Sequence, residues 1–334
     1  MKPTVRVLAV LLTLLFVLPS CGRAPKKQSA TLFAMDTYME LTVYGKRDAL
    51  TAAEAEIRTL EEALSVTDSE SGVAALNRTG TGAFSPEISL LISETLALCE
   101  CTGGALDITV YPLVRAWGFT TGNHRVPDEA ELAELLTSVG YDRVTVSGNT
   151  VTLAGNTEID LGAVGKGYTA DRLTALLRDA GVTSALLNLG GNVQAIGTKP
   201  NGDAWRVGVQ DPSGEGVLTT LEVSDCAVVT SGTYERYFEQ DGEIYHHIID
   251  PKTGSPAKSG LSSVTVVAKS GLLADALSTA LFVMGKEQAI AHWKAYRDFE
   301  AIFVTDAGEL FLTDGLRSAE TDARYAGKVT VIEP

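Results

Sequence analysis

The sequence predicts an α+β fold with largely antiparallel sheets and packed helices. Two observations carry this: strand-like runs follow one another consecutively, and helix-like runs are grouped elsewhere instead of alternating with them. A third sets the scale, since 334 residues at 45% hydrophobic content can bury one large core or two interlocked ones. No Pro- or Gly-rich linker divides residues 31–334, and no internal repeat or low-complexity tract interrupts them, so one compact unit of two interlocked subdomains is expected.

In chain order, residues 1–20 lie outside that unit. Lys2 and Arg6 form a basic start, and "VLAVLLTLLFVL" is an apolar run too short for a comfortable membrane span. "LPSC" sets Leu18 three residues before Cys21, with the small Ser20 just ahead of it. This resembles a bacterial lipobox, which implies a lipoprotein signal peptide over 1–20 and lipidation of Cys21. Residues 21–30, "CGRAPKKQSA", then read as a flexible tether to the 31–334 domain, and the protein is expected to be exported and lipid-anchored on the extracytoplasmic (periplasmic) side. The competing reading is an ordinary signal peptide that ends near a cysteine.

"TLFAMDTYMELTVYG" alternates as a half-buried strand does, with Met35, Thr37, Met39, Leu41 and Val43 on one face. A helix follows from about Ala49 to Leu64. Ser85 and Pro86 read as N-cap and first helical residue of a helix reaching Cys101. "RVTVSGNTVTLAG" is a hairpin with Gly-Asn at its tip, and "TADRLTALLRDAG" is an amphipathic helix stopped at Gly181. Short strands occupy "SALLNLGGNVQAIG", "AWRVGVQD", "LTTLEVSD", "CAVVTSG" and "LSSVTVVA". Two helices, Leu272 to Met284 and Glu287 to Tyr296, precede a last hairpin in "FEAIFVTDAGELFLTD".

Composition excludes some functions. The chain has 27 basic and 42 acidic residues, a net charge of −15, which becomes −17 once Lys2 and Arg6 leave with the signal peptide. Nucleic acid is a poor partner for that balance. Cys99 and Cys101 are too close for an easy bridge, and no Cys-x-x-Cys or His cluster makes a zinc site, so these and Cys226 read as buried thiols. "GAVGKG" fails the phosphate-loop pattern, because Asp160 stands where the upstream glycine belongs and Gly167 where Ser or Thr belongs. "LGGNVQAIG" is no dinucleotide fingerprint and no Gly-x-Ser-x-Gly elbow exists, which argues against a Rossmann dehydrogenase and a serine hydrolase.

Three stretches retain chemistry. In "IDLGAVGKGYTADRL", small residues surround Lys166 just before a helix, where free N–H groups attract anions; the plainer alternative is a glycine turn with a solvated lysine. In "LLADALSTALFVMG", helical spacing puts Asp275, Ser278 and Thr279 on one stripe of hard oxygens that suits Mg²⁺, or else is a solvated face. In "YHHIIDPKTGSPAKSG", period-two alternation turns His247 and His246 to opposite faces, and Pro251 biases Asp250 toward an extended backbone. There the alternatives are an edge strand with polar tips and a proton-transfer group beside an anion site.

These pieces stand in order with "AMDTYMEL", "GALDITVYPLVRAWGF", "LLNLGGNVQAIG" and "HHIIDPKTG", and together they resemble the FAD:protein FMN transferases, the ApbE family of exported flavin transferases, over residues 31–315. The resemblance implies the ApbE, T-fold-like arrangement with the ligand site between two subdomains. It implies Mg²⁺ on the Ala163 carbonyl, the Asp275 carboxylate and the groups around Ser278 and Thr279. FAD, as substrate, would contact Met35, Ala105, Leu106, Asp107, Asp160, Lys166 and Ile249. His247 would assist proton transfer while His246 points away, so that removing His246 has a mild effect. The implied reaction moves the FMN half of FAD to a Thr or Ser hydroxyl of an acceptor protein and releases AMP. Flavin-binding subunits of membrane redox complexes and secreted FMN-binding domains are the acceptors the resemblance implies. One departure stands out: Thr67 occupies a position where the family often has an aromatic residue. Two rival functions remain at this level, a Mg²⁺-dependent FAD pyrophosphatase and a flavin-binding lipoprotein without turnover.

Overall fold

The computed structural model describes residues 26–214 and 216–334. Cys21 and the signal peptide expected over residues 1–20 lie outside the described residues. Strand β1 (Lys27–Ala34) and β2 (Thr37–Tyr44) lead into α1 (Arg47–Leu64) and α2 (Gly72–Thr79). β3 (Thr81–Ala83), α3 (Pro86–Cys101), α4 (Tyr111–Ala116) and α5 (Glu129–Leu136) follow, then β4 (Val144–Ser147), β5 (Thr150–Leu153) and α6 (Gly165–Asp179). Next come β6 (Ala185–Leu189), β7 (Asn192–Ile196), β8 (Trp205–Gln210), β9 (Val217–Val223) and β10 (Cys226–Gly232). β11 (Tyr237–Gln240), β12 (Glu243–His246), β13 (Leu261–Ala268) and α7 (Gly271–Tyr296) precede β14 (Phe299–Thr305), β15 (Leu310–Thr313), β16 (Glu320–Thr321) and β17 (Val329–Ile332).

Nine strands form the main sheet in the order β1-β2-β6-β7-β10-β13-β14-β15-β17. Every neighbouring pair in it is antiparallel except β15 and β17, which run parallel. One face carries α1 and α6 over β2 and β6, through Ile57, Leu173, Leu41 and Leu187, and α7 over β10, β13 and β14, through Leu277, Leu281, Val229 and Phe303. The other face is covered by β8 and β9, whose Val207 and Leu221 meet Val228 and Ile302. A second subdomain packs α2 and α3 on the small β3-β5-β4 sheet around Leu76, Leu91 and Val151, and joins α7 through Ala276 and Ala280. A satellite cluster of Leu113, Trp117 and Ile249 lies under α4, α5 and the β11–β12 hairpin. Among the described residues no helix is long and apolar enough to cross a membrane.

The α+β expectation and most elements hold. Ser85 accepts from Ile88 N with Pro86 at the helix start, Gly148 turns the β4–β5 hairpin at φ 58°, and Gly181 follows α6 at φ 80°. The two expected helices are the halves of α7, broken at Gly285, which is non-helical at φ 74°. Two expectations are corrected. The single strand expected at residues 31–45 is the β1–β2 hairpin, because Met35 (φ 49°) and Asp36 (φ 59°) make a left-handed two-residue turn without glycine or asparagine. Of the tether expected over residues 21–30, Lys27 to Ala30 instead pair with β2 as part of β1, while residues 21–25 lie outside the described residues.

One crossing positions everything that follows. A Cβ on Gly167 would lie 2.2 Å from the Gly271 carbonyl oxygen and 2.6 Å from Asp275 Cβ. Helices α6 and α7 therefore meet backbone to backbone, each at its N-terminal turn. Their carboxylates cap one another. Asp171 of α6 accepts from Ser270 Oγ (2.8 Å), Gly271 N (2.7 Å) and Leu272 N (3.0 Å) at the start of α7. Asp275 of α7 accepts from Gly167 N (2.8 Å) at the start of α6. Each cap meets orphan donors and the positive end of a helix dipole.

Candidate active site

Four segments converge on a cleft beside this crossing: the loop before α6, the first turns of α6 and α7, the stretch after β10, and the residues just past β12. The loop folds back so that Val164 N and Gly165 N both reach Leu161 O. In an ordinary helix Gly167 N would bond the Ala163 carbonyl, four residues earlier. Here Asp275 takes that N–H, and no backbone donor among the described residues reaches the Ala163 oxygen. A free carbonyl and a carboxylate are thus left side by side.

The stripe on α7 is interior, which excludes the solvated-face alternative: Asp275 is 4% exposed and Ser278 is fully buried. Burial pushes the Asp275 carboxyl up, opposed first by the nearby Lys166 ammonium. Ser278 Oγ donates to the Asp275 carbonyl (2.9 Å), so in its 2.8 Å contact with Ser231 Oγ it must accept. Ser231 in turn accepts from Thr279 Oγ1 at 3.3 Å. This directed chain leaves both lone pairs of Thr279 Oγ1 uncommitted within it, whereas Ser278 spends its proton and one of its two lone pairs. Asn192 of β7, whose buried Nδ2 has no close partner among the described residues, also favours the charged form of Asp275.

Charged groups without mates line the rest. Asp160, raised by burial, accepts from Gly162 N at 2.8 Å and feels the positive charges of Arg236 and Lys166. Glu235 is an exposed residue, yet protein atoms crowd its carboxyl and raise it to about 7; Lys166 and Arg236 oppose the rise and Asp275 adds to it. Among the described residues, Lys166, Asp160, Glu235 and Asp275 make no ion pair within 4.0 Å. Arg236 alone of the set is paired, to Asp36 of the β1–β2 turn at 2.9 Å. Unmatched charges of both signs around one cleft are the signature of a ligand site.

His247 has a defined tautomer. Its backbone N and its Nδ1 both face the Arg236 carbonyl, at 3.1 and 3.2 Å. A carbonyl can only accept, so Nδ1 carries the proton and Nε2 keeps its lone pair. Burial, then the Arg236 charge, pushes this imidazole down to about 3. The neutral base form is thus strongly held. His246 is the reverse case: Nε2 donates to Ala257 O (3.1 Å), Nδ1 accepts from Ile248 N (3.3 Å), and the ring stands edge-on to Phe282. It belongs to the framework.

The ApbE family model matches residues 35–303, a span that holds every segment of the cleft. The chain belongs to the ApbE family. It is 37% identical over 350 residues to the FAD:protein FMN transferase of Treponema pallidum, covering 95% of this chain and 96% of that protein. Among solved structures it is similar to the ApbE protein of Thermotoga maritima, with a TM-score of 0.84 and 33% identity over 89% of this chain and all of that one. It is also similar to the flavin transferase ApbE from Vibrio cholerae, with a TM-score of 0.79 and 27% identity over 88% of this chain and 99% of that one.

In this ApbE chain most of the sequence-derived residues divide into two groups, with Met35 and Ser278 outside both, Ser278 being fully buried against Ser231. Asp160, Ala163, Lys166, His247, Asp275 and Thr279 face the cleft. The side chains of Ala105, Leu106 and Ile249 are core, and Asp107 spends both oxygens locally, on Thr109 N, Thr109 Oγ1 and Tyr141 N. Met35 bridges two hydrophobic clusters and donates its N–H to Glu61 at 2.7 Å. Thr67 bonds to its neighbour Ser65, and the nearby ring is that of Tyr111, whose hydroxyl donates to Val66 O. Ser231, Glu235, Arg236 and Asp171 were missed. A polar "TSGTYER" run after an apolar strand could have flagged the first three.

Proposed function

We propose that this ApbE chain transfers the FMN half of FAD to a Thr or Ser hydroxyl of an acceptor flavoprotein, releasing AMP, with Mg²⁺ held by Asp275, Thr279 and the Ala163 carbonyl. The observation that carries the reading is His247, neutral and fixed with Nε2 free, beside Lys166 and Arg236. The donor set fits a hard cation: one buried carboxylate without an ionic partner, one uncommitted hydroxyl and one freed carbonyl, which is few enough ligands for an ion that keeps waters or substrate oxygens. Bound there, Mg²⁺ would offset negative charge on the diphosphate and on the departing AMP.

The chain's own residues do the rest. Lys166, on the first turn of α6, and Arg236 draw the diphosphate in through their side-chain charges. Each carboxylate about 5 Å from a phosphate oxygen would cost about 3 kcal/mol at an effective dielectric near 20, so Asp160 and Asp275 make cation binding and FAD binding interdependent. His247 Nε2 accepts the proton of the incoming hydroxyl. A diphosphate that neutralises Arg236 and Lys166 would offset the part of the lowering that these charges supply, while burial, the larger cause, persists; general-base catalysis of this kind is worth roughly 10²–10⁴-fold.

The test is mass spectrometry of a candidate acceptor, either a flavin-binding subunit of a membrane redox complex or a secreted FMN-binding domain, after incubation with FAD and Mg²⁺. An FMN adduct on Thr or Ser with equimolar AMP is expected, and Asp275→Ala should abolish the metal-dependent part. AMP without adduct would reassign the chain as a pyrophosphatase, and neither product would leave a flavin-binding protein. Export and anchoring through Cys21 complete the proposal, on the strength of "LPSC" after a basic start and an apolar run. Cys21→Ser should move the exported protein from the membrane to the soluble fraction; continued membrane attachment would refute the lipid.

A further inference from the structure

His247 has a neighbour that neither binds an ion nor donates a proton. The Phe119 ring stands edge-on to the imidazole, with centroids 6.3 Å apart. It is held there by a wall of rings: Phe238 at 5.7 Å and His124 at 5.6 Å from Phe119, with His124 stacked flat on Phe238 at 5.0 Å. The wall is anchored at both ends. Trp117 packs against Phe238 and donates Nε1–H to Gly254 O at 2.8 Å, tying the loop after α4 to the turn that follows His247. Gly118, at φ 86°, lies so close to Asn123 that a Cβ would come within 2.2 Å of its carbonyl oxygen, so the loop presenting Phe119 is tightly closed.

His247 thus has a carbonyl on Nδ1 and an aromatic edge against its ring. An imidazole that accepts a proton from a protein hydroxyl can equally accept one from water. In the transfer, the hydroxyl oxygen bonds the FMN phosphorus, the bond from that phosphorus to the bridging oxygen breaks, AMP leaves with the bridging oxygen, and the hydroxyl proton passes to Nε2. With water in place of the hydroxyl the same steps give free FMN and AMP. The charged groups of the cleft act alike on both reactions. What distinguishes them is how much water reaches the nucleophile's place beside the base.

We propose that Phe119 is a positioning and selectivity residue, whose ring excludes water beside His247 so that the base serves a protein hydroxyl in preference to hydrolysis. The inference rests on the transferase reading of the same site. Phe119 is half-buried and packs on the satellite cluster, not in any of the four larger clusters, so truncating it opens space at His247 without opening one of those.

The test compares wild type, Phe119→Ala and Phe119→Leu as exported-length proteins with FAD and Mg²⁺, measuring adduct formed with an acceptor and AMP released without one. The ratio of the two rates does not depend on the fraction of enzyme folded. In Phe119→Ala it should fall about tenfold, a ~1.4 kcal/mol change between the two barriers, while Phe119→Leu, which keeps an apolar side chain, stays within about threefold of wild type. An unchanged ratio in Phe119→Ala, whether both rates drop together or neither moves, overturns the inference alone. Absence of adduct with wild type overturns it together with the transferase reading.

Discussion

The two walls of the cleft are built on opposite plans. On the α6–α7 side, two helices touch main chain to main chain at Gly167 and Gly271, and each end is capped by the other helix's carboxylate. On the His247 side, the base follows a two-stranded hairpin, β11–β12, whose outer residues are largely exposed and which rests on the satellite cluster. The first wall handles charge, and preorganised electrostatics lose their value if the groups can relax away. On the proposed mechanism the second lets a macromolecule bring its hydroxyl to His247, which a wall locked into the larger clusters would resist, so that stiffness would serve charge stabilisation and lighter packing the entry of the acceptor. Arg236, just before the hairpin, is tied to the β1–β2 turn only by an exposed ion pair with Asp36, of the kind worth about 0–1 kcal/mol.

The largest effect should come from breaking the stiff wall. Gly167→Ala forces a Cβ against the Gly271 carbonyl, a backbone atom that cannot rotate aside, and against Asp275 Cβ. The helices must separate, at a cost of about 3 kcal/mol, the upper end for overpacking. FAD binding should fail with it, because the separation moves Asp275 away from the α6 terminus. Gly165→Ala is the control: its Cβ would meet nothing nearer than Leu64 Cδ1 at 3.9 Å. Urea denaturation of both variants decides the point. Equal stability would mean that the crossing is loose and the contrast between the walls is false.

How far each wall could be read from the sequence follows from where its information sits. Ser278 and Thr279 fall on Asp275's stripe by helical spacing, and the opposed histidines fall out of strand alternation, because both rules are local. The crossing is not local. Gly167 sits in a glycine-rich run that also describes a plain turn, and Asp171 looks like any surface charge on an amphipathic helix until Ser270, far along the chain, is folded beside it. The β1–β2 turn was hidden for another reason: Met35 and Asp36 hold left-handed conformations that glycine or asparagine normally announces. Asp107 misled in the opposite direction, since a carboxylate in a recognisable motif is here a local cap for the turn it begins.

The smaller effects lie on the lighter wall, and adjacent histidines separate them. His246→Ala strands the Ala257 carbonyl and the Ile248 N–H, both buried, and removes the edge contact to Phe282. Turnover per folded molecule should stay close to wild type, the mild effect on transfer expected from the sequence, while stability should fall by about 2–3 kcal/mol. His247→Ala should cost less than about 1 kcal/mol, since this ring is partly exposed and its partner carbonyl remains bonded to the His247 backbone N–H. Transfer should nevertheless fall roughly 10²–10⁴-fold with FAD binding retained. The pH dependence gives a second signature. Unfolded His247 takes up its proton near pH 6.5, whereas the folded residue stays neutral down to about 3. Its contribution to stability is thus present above pH 6.5 and is lost as the pH falls toward 3. That slope should be shallower in His247→Ala than in wild type when urea midpoints are compared between pH 7 and 4. If the two substitutions cost the same in stability and in turnover, the division between a structural and a chemical histidine is wrong, and the light wall carries no specialised base.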